Sequence, residues 1–511
     1  MSNRASRACD PCRFRKVKCN GSNPCAQCGH LNLSCIYSPA PSKRKPGVRG
    51  RLVAQLRQGT KTRPARSSPE AVEAPAQPLP CPSAFGSTYS ADFFLRLVPD
   101  FETVVFPVNP IILPSEIVAA VGNMDHSFED SALVHAFAAV TINLAQLSRG
   151  FNEEVAARVS DLMRHSFRLH RQAEMGTDVL GRLPITVKRI MTCIFLEICF
   201  MAFKRWDRGL TILREATAMI QMLEMDQIND GLSDHETATR QRLYWEASIH
   251  ERFLTIVAGP PSILPPLSGL PPTDPELPLH INTGFDRLIS LFLILDDTFL
   301  SHWRAQQDPR HEAPEMTAEW IESKQAQLDQ DEIGAAETER ALICSGCGGL
   351  TELQHADLFI TRLWLRTLVW QLALSEGLLQ STPPKNSHEG LSMHFPAERL
   401  SDQLRSLVSR LHTVESIGIH GSGIFQKLFE ITSTVADVLA LPIAQDQNMQ
   451  AAESRIDGFL FLVKFVLGFE RIPAEQKDYL REKVNTLQKV HAAFDFESLR
   501  VCDLVQYEEQ T

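Results

Sequence analysis

Six cysteines within the first 35 residues are spaced as one unit that occurs twice. The spacing is C-x2-C-x6-C-x5-C-x2-C-x6-C, and it comprises Cys9, Cys12, Cys19, Cys25, Cys28 and Cys35. A segment of about 40 residues is too short to be held by a hydrophobic core alone. No apolar secretory stretch is visible near the N-terminus, so we expect an intracellular chain with reduced thiols. The cysteine pattern therefore predicts a metal-stabilised module rather than a disulfide framework.

The repeat also predicts how many metal ions the module holds. A structural zinc ion takes four ligands, usually thiolates or imidazoles. A single zinc site or a redox pair would leave some thiols idle and the repeat unexplained. Two zinc ions can use all six cysteines if two sulfurs bridge, and the first members of each unit, Cys9 and Cys25, are the predicted bridges. The predicted cofactor is thus a pair of Zn²⁺ ions.

The charge of the chain is divided unevenly between this head and the rest. Residues 1–66 carry 15 Lys and Arg and one acid, Asp10, which gives +14, whereas the remaining residues sum to −24. A basic head of this kind favours a phosphate-rich partner. The pooled net charge of −10 conceals that preference.

The head has a recognisable pattern as a whole. The segment RACDPCRFRKVKCNGSNPCAQCGHLNLSC, residues 7–35, resembles the DNA-binding module of fungal Zn2Cys6 binuclear-cluster transcription factors. The resemblance implies a small zinc-stabilised α module, with two short helices around the cluster. It also implies a nuclear, non-enzymatic protein that reads CGG-type half-sites of double-stranded DNA through a helix in the major groove.

Basic side chains after the second cysteine are the candidates for DNA contact. Lys and Arg can donate to guanine O6 and N7, and by resemblance Lys16, with Arg15 beside it, occupies the base-reading position. The linker arginines Arg49 and Arg51 could follow phosphates or a narrow minor groove. The predicted DNA-binding residues are Arg13, Arg15, Lys16, Lys18, Lys43, Arg44, Lys45, Arg49 and Arg51.

Composition suggests four segments along the chain. We expect a Zn2Cys6 domain at 1–40, a basic and then Pro-rich linker at 41–88, an all-α regulatory domain at 89–490, and an acidic tail at 491–511. The tail interleaves acids with bulky apolar residues, which fits either an activation segment or a docked terminal helix. Heptad positions after the cluster are limited to Leu52, Val53 and Leu56, so no zipper is predicted. Either the large domain dimerises, or the chain binds single half-sites.

Helical periodicity dominates the large domain. Apolar residues recur at helix spacing from Val187 to Met201 and from Leu210 to Ile220. Residues 205–225, 240–264 and 354–373 are similar to blocks of the fungal transcription-factor regulatory domain, the middle homology region. We interpret its polar residues as structural rather than catalytic: Arg240, Arg242, Trp245, Glu251 and Arg252. In that family the domain regulates activity and can sense a small-molecule inducer, but no residue here identifies a ligand.

The segment KRKPGVRGRLVAQLR, residues 43–57, looks like that of regulators in fungal secondary-metabolite or carbon-use gene clusters, and this resemblance favours a pathway-specific activator of a secondary-metabolite gene cluster. Its expected partners are CGG-containing DNA, the transcription machinery or co-regulators, a second copy of the chain and a small-molecule inducer, with no membrane. The alternatives are an activator or repressor of carbon and sugar utilisation genes, and a metal-dependent enzyme with an accessory DNA-binding head. The enzyme would need a convergent polar pocket, and the sequence shows no catalytic triad or carboxylate pair. A second CxxC, Cys344 and Cys347, is either incidental or a redox switch.

Overall fold

Helices make up nearly all the regular structure of the described residues. The computed structural model describes residues 8–10, 12, 19–30, 35–36, 89–146, 152–175, 181, 183–224, 231–308, 310–381, 384–410, 415–440 and 449–490. Across these ranges the single extended pairing is an isolated bridge between Gln380 and Ser392. The predicted all-α fold class, with a small cysteine module followed by a large helical part, is confirmed.

The helices in the first part of the chain are mostly separated by short loops. They are α1 (Ala26–His30), α2 (Ala91–Leu95), α3 (Val98–Val104), α4 (Pro114–Asn123), α5 (Phe128–Ala145), α6 (Glu153–Met175), α7 (Val187–Ala202), α8 (Trp206–Met222) and α9 (Asp234–Ala258). The predicted periodic segments from Val187 and from Leu210 lie on α7 and α8, so both helix predictions are confirmed.

The remaining helices continue to residue 490. They are α10 (Leu279–Phe292), α11 (Asp297–Gln307), α12 (Ala318–Cys344), α13 (Glu352–Glu376), α14 (Ser401–Arg410), α15 (Glu415–Ile419), α16 (Ser422–Leu439), α17 (Met449–Leu467) and α18 (Ala474–Val490), with a 3-10 turn at Glu389–Leu391 and a π-helical turn at Pro396–Leu400. The stretches 260–278 and 377–396, which we expect to be loops from their prolines and glycines, connect α9 to α10 and α13 to α14.

Local sequence signals set where several of these helices begin and end. Ser127 and Thr186 accept a hydrogen bond from a backbone N–H of the first turn of α5 and α7. Thr351 and Gln354 form a reciprocal capping box at the start of α13. At the other end, Gly259 after α9 and Gly377 after α13 adopt left-handed backbone conformations, with φ of 86° and 74°, which terminate the helices at little steric cost.

The core is built around helices that are apolar on nearly every side. Helix α5 packs against α3, α4, α6 and α7, and almost all of its residues are buried. Helix α13 is the central buried helix of the later part of the chain. It contacts α10, α12, α15 and α16 and buries Trp364 and Trp370. A helix that is apolar all round must be surrounded by other helices to be stable in water. Helix α16 also contacts α7, so the two sets of helices share one core.

The apolar run at 190–203 lies inside this core on α7. Its residues Ile190, Ile194 and Phe195 are fully buried among other helices. None of the helices in the described part of the chain combines the length and the apolar character needed to cross a membrane.

Candidate metal centre

All six clustered cysteines lie among the described residues and meet at one point. Cys25 immediately precedes α1, and Cys28 lies in its first turn, where the Cys28 backbone N–H donates to the Cys25 Sγ at 3.3 Å. The Asn20 Oδ1 accepts from the Ala26 backbone N–H at 3.1 Å and so caps the same helix. Three-residue spacing at a helix start places both sulfurs on one side, which explains why the C-x2-C pairs converge.

Sulfur-to-sulfur distances match those around a tetrahedral metal. Cys9 Sγ lies 3.6 Å from both Cys25 Sγ and Cys28 Sγ, and Cys12 Sγ lies 3.5 Å from Cys25 Sγ. Cys19 Sγ lies 3.8 Å from Cys9 Sγ. With a Zn–S bond of about 2.3 Å, two ligands of a tetrahedral zinc are separated by roughly 3.8 Å. The sulfur positions therefore suit Zn²⁺.

The sulfurs fall into two overlapping groups of four. One group contains Cys9, Cys12, Cys19 and Cys25, and the other contains Cys9, Cys25, Cys28 and Cys35, with all ligand atoms of a group within 4.8 Å of one another. Cys9 and Cys25 belong to both groups. They are the two residues that the sequence repeat predicts as bridges.

The repeated unit of the sequence is also a repeated hydrogen-bond pattern. The Cys9 backbone N–H donates to Cys19 Sγ at 3.5 Å, and the Cys25 backbone N–H donates to Cys35 Sγ at 3.2 Å. Each bond joins the first cysteine of a unit to the third. Such bonds stabilise negative charge on the sulfurs, since a backbone N–H is a fixed donor.

Burial alone would keep several of these thiols protonated. Removal from water raises the pKa of Cys9, Cys12 and Cys28 above the ordinary thiol value. A nearby divalent cation reverses this preference, because it holds coordinating thiols in the deprotonated form. The close packing of six sulfurs is therefore most stable when each group of four binds a metal cation.

The cysteine module contacts the large helical part. Met393 packs in the same cluster as the buried Cys9, Cys12, Cys25 and Cys28, and Leu374 of α13 lies against it. The Gln27 side chain of α1 lies beside Gly377, so close that a Cβ there would lie 2.7 Å from Gln27 Nε2. Gly377 is therefore constrained twice, by its positive φ and by this contact.

The structure does not describe the predicted DNA-binding residues. Arg13, Arg15, Lys16, Lys18, Lys43, Arg44, Lys45, Arg49 and Arg51 all lie outside the described residues, as do the linker at 41–88 and the acidic tail at 491–511. Their roles stay predictions from the sequence.

The other described cysteines are not grouped with the metal cluster. Cys193 and Cys199 are fully buried in the core on α7, as the apolar pattern predicts. Cys193 adjoins His170 and Glu215, but the guanidinium groups of Arg171 and Arg189 lie against Glu215, at 2.5 Å and 3.8 Å. These ion pairs already compensate the carboxylate. Cys344 and Cys347 are exposed at the end of α12.

The polar residues of the 240–264 segment hold the fold together. Arg242 Nη1 donates to Asp274 Oδ2 at 2.8 Å, and its Nε donates to the Pro110 carbonyl at 2.9 Å. Glu251 is paired with Arg214 of α8. Asp274 and Glu251 are buried and Arg214 is half-buried, and these contacts join elements of the fold, which matches the interpretation from sequence.

A cluster that the sequence did not reveal lies deep in the core. Glu197 and Glu246 each lie within ion-pair distance of His250, next to Asp357 and Lys427, around a cavity. These residues come from four helices. Periodicity signals the apolar faces of those helices, but it gives no indication that their buried charges meet.

Comparisons with known proteins agree with this geometry. Residues 7–45 match the family model described as the fungal Zn(2)-Cys(6) binuclear cluster domain. The domain binds two zinc ions through its six cysteines, and it is a DNA-binding module.

Similarity to characterised relatives extends far beyond that domain. A maltose fermentation regulatory protein of Saccharomyces cerevisiae is 23% identical over 459 residues, which cover 87% of this chain and 87% of the relative. A probable sucrose utilization protein of Candida albicans is 21% identical over 486 residues, covering 94% and 88%. The fumonisin cluster-specific transcription factor of Gibberella moniliformis is 48% identical, but over 40 residues that cover 8% and 6%. The chain thus carries a fungal Zn(2)-Cys(6) binuclear cluster domain, and along most of its length it is similar to fungal regulators of this type.

Proposed function

We propose that the chain is a nuclear transcription factor that controls RNA polymerase II genes of sugar utilisation through CGG-containing sites. The assignment to sugar utilisation rests on how much of the chain is similar to its relatives. Relatives named for maltose and sucrose utilisation match along 87% to 94% of the chain. The large helical part, rather than the zinc module alone, is therefore what they share.

Secondary metabolism, the pathway favoured by the sequence analysis, has narrower support. The similarity to the fumonisin cluster-specific factor is confined to 40 residues of the head. A zinc module reads DNA in the same chemical way whichever pathway it serves. Similarity in the large helical part is therefore the better guide to the pathway. For this reason sugar utilisation is our first candidate pathway and secondary metabolism is the second.

Base reading is assigned to the basic segment between Cys12 and Cys19. We propose that Lys16, with Arg15, donates to guanine O6 and N7, whereas Arg13, Lys18 and the linker residues contact phosphates. The linker residues in this group are Lys43, Arg44, Lys45, Arg49 and Arg51. The acidic remainder of the chain is repelled by DNA and is suited to protein partners such as co-regulators.

The two kinds of contact should respond differently to substitution. Lys16→Ala is expected to weaken binding to a CGG duplex by about 1–3 kcal/mol and to relax the preference at that triplet. Arg49→Ala is expected to weaken binding to all sequences alike and to flatten the salt dependence by roughly 0.9 in log–log slope. Fluorescence anisotropy over a salt series measures both. Equal losses on CGG and scrambled duplexes for Lys16→Ala would contradict the assignment.

The pathway is tested by mapping and deletion. Genome-wide mapping of the bound sites, combined with transcript levels in a deletion strain grown on maltose, sucrose and glucose, should show CGG-containing sites beside sugar transport and hydrolysis genes. Transcripts that fall on deletion identify an activator, and transcripts that rise identify a repressor. Bound sites confined to a biosynthetic cluster would favour the second candidate.

Self-association and an activation tail complete the proposal. Since the sequence predicts no zipper after the cluster, we assign dimerisation to the helical part at 89–490, and transcriptional activation to residues 491–511. The chain needs no catalytic residue for these tasks, and we propose that it is not an enzyme.

A further inference from the structure

A cavity of about 140 Å³ lies in the core where helices from both parts of the chain meet. Its walls come from α7, α9, α10, α13 and α16, together with the loop after α3 and the turn before α16. Ser422, the first residue of α16, donates its hydroxyl to the Met201 carbonyl at 2.8 Å and so joins the end of α7 to the start of α16. A molecule in this cavity would contact elements that are distant in sequence.

One side of the cavity holds two carboxylates around an imidazole. His250 Nδ1 lies 2.6 Å from Glu197 Oε2, and His250 Nε2 lies 3.2 Å from Glu246 Oε1. Both glutamates are almost fully buried, at 1% and 2% exposure. Although burial opposes protonation, the two carboxylates raise the pKa of His250 to about 10, so the ring is a cation at neutral pH. The other oxygen of Glu246, Oε2, has no hydrogen-bond partner among the described residues.

The opposite side carries a lysine and an aspartate. Lys427 Nζ donates to Thr361 Oγ1 at 2.6 Å and lies 3.4 Å from Asp357 Oδ1. Burial acts to raise the pKa of Asp357, but the ammonium of Lys427 lowers it below the ordinary value, whereas burial lowers the pKa of Lys427 itself. His420 completes this wall and bonds the Leu353 carbonyl at 2.7 Å.

The remaining wall is apolar. Phe253 and Phe292 line the cavity within 6.0 Å and 5.5 Å of the Lys427 ammonium, as measured to their ring centres. Ile198 and Leu288 extend the same surface. At ~30 Å³, the share of one water molecule in the liquid, the volume corresponds to roughly five waters, so the cavity can admit a small organic molecule.

Stability alone does not explain this arrangement. Buried ion pairs are often no more stabilising than well-packed apolar residues of similar size, because removing charges from water is expensive. Here three carboxyl groups lie beside one imidazole and one amine, burial raises the pKa of Glu246, and the Oε2 atoms of Glu197 and Glu246 have no hydrogen-bond partner among the described residues. The site thus offers surplus hydrogen-bond acceptors, two fixed donors and an aromatic face. This combination suits a molecule with several hydroxyl groups and no charge.

We propose that the cavity binds a small, uncharged polyhydroxyl molecule of monosaccharide size. Hydroxyl groups would donate to Glu246 and Glu197 and accept from Lys427, with the C–H face of the molecule against Phe253 and Phe292. The proposal deepens the proposed function, on which it rests, by supplying a sensor site for the regulated sugar class. Binding at a point shared by α7, α9, α13 and α16 favours one packing of these helices over others, which is how a ligand shifts an equilibrium between states.

The test uses the full-length, zinc-loaded chain and isothermal titration calorimetry. The probes are D-glucose, D-galactose, D-fructose, D-xylose, sorbitol and glycerol at up to 10 mM, with methylammonium chloride as a charged probe. We expect saturable, one-to-one binding of at least one uncharged probe. Glu246→Gln, which keeps the shape but removes the charge, should weaken it at least tenfold. Ala202→Leu, which fills the cavity and keeps every charge, should weaken it to the same extent.

A matched control separates the cavity from the core in general. Glu430 accepts hydrogen bonds from Trp364 and Gln426 but does not line the cavity, so Glu430→Gln should bind the probe as the unmodified chain does. Binding of none of the uncharged probes, binding of methylammonium alone, or equal binding by the Ala202→Leu variant would overturn the inference. No DNA or reporter takes part in this measurement. If calorimetry shows no binding while the mapped sites lie beside sugar genes, the sensor site is refuted and the proposed function stands. If calorimetry shows binding while the mapped sites lie elsewhere, the cavity binds its ligand and the proposed pathway is refuted.

Discussion

Replacing Cys25 with serine is expected to remove both zinc ions from the head and to abolish specific DNA binding. Cys25 belongs to both groups of four sulfurs, so its loss leaves neither ion with a full ligand set. Structural zinc supplies the folding free energy of so small a module, and the unliganded module is expected to unfold. Specific affinity should fall to the non-specific level, which is a loss of at least ~10³-fold. Elemental analysis of zinc and a mobility-shift titration measure the two effects.

Two further substitutions sharpen this test. Cys35→Ser removes a sulfur that belongs to one group alone, so that variant should lose one zinc ion more readily than the other. Cys347→Ser alters an exposed cysteine that is not part of the cluster, and it should keep two zinc ions and full affinity. A Cys25→Ser protein that retained two zinc ions and bound CGG duplexes normally would contradict the shared-ligand arrangement.

Replacing Glu251 with alanine should destabilise the helical part by about 1–3 kcal/mol, because it leaves two backbone N–H groups and half-buried Arg214 without their acceptor. Glu251 Oε2 accepts from the backbone N–H groups of Ile263 and Leu264 at 3.0 Å and 2.9 Å, and Oε1 is paired with Arg214. The carboxylate therefore holds the loop after α9 and the neighbouring helix α8 in place. Urea unfolding followed by circular dichroism at 222 nm measures the change.

Controls for the second prediction use the same residue type in other settings. Glu251→Gln keeps an acceptor for the two backbone N–H groups but removes the charge, so its effect should be smaller than that of alanine. Glu154→Ala breaks an exposed pair with Arg158 one helical turn away, and such surface pairs contribute little. If Glu251→Ala unfolded at the same urea concentration as Glu154→Ala, the structural role of this carboxylate would be refuted.

Local pattern was enough to predict the helices that carry these sites. The apolar spacing on α7 and α8 and the Pro- and Gly-rich stretches before α10 and after α13 reflect backbone chemistry that acts over a few residues. The block at 240–264 was also recognisable, and its buried arginine and glutamate were interpreted as structural. The local pattern could not predict which residues pair with this arginine and this glutamate. Asp274 lies 32 residues from Arg242, and Arg214 lies 37 residues from Glu251.

The cysteine repeat shows how far sequence reasoning can go without tertiary information. Six thiolates in two equal units define the number of metal ions and the two shared ligands, because zinc coordination imposes four ligands regardless of the rest of the chain. The arrangement of the sulfurs, with Cys9 and Cys25 in both groups, has the symmetry of that repeat. The contact of this module with Met393 and Leu374 had no counterpart in the sequence.

The sequence by itself determined the chemistry of the head, the helical character of the body and the separation of positive and negative charge between them. These properties follow from residue type and short-range spacing. The tertiary structure alone decided where buried charges meet. Glu197, Glu246, Asp357 and Lys427 lie on four helices and line one cavity because packing of the apolar faces carries them inward together. Long-range packing is a property of the whole core, and for that reason the cavity was invisible in the one-dimensional pattern.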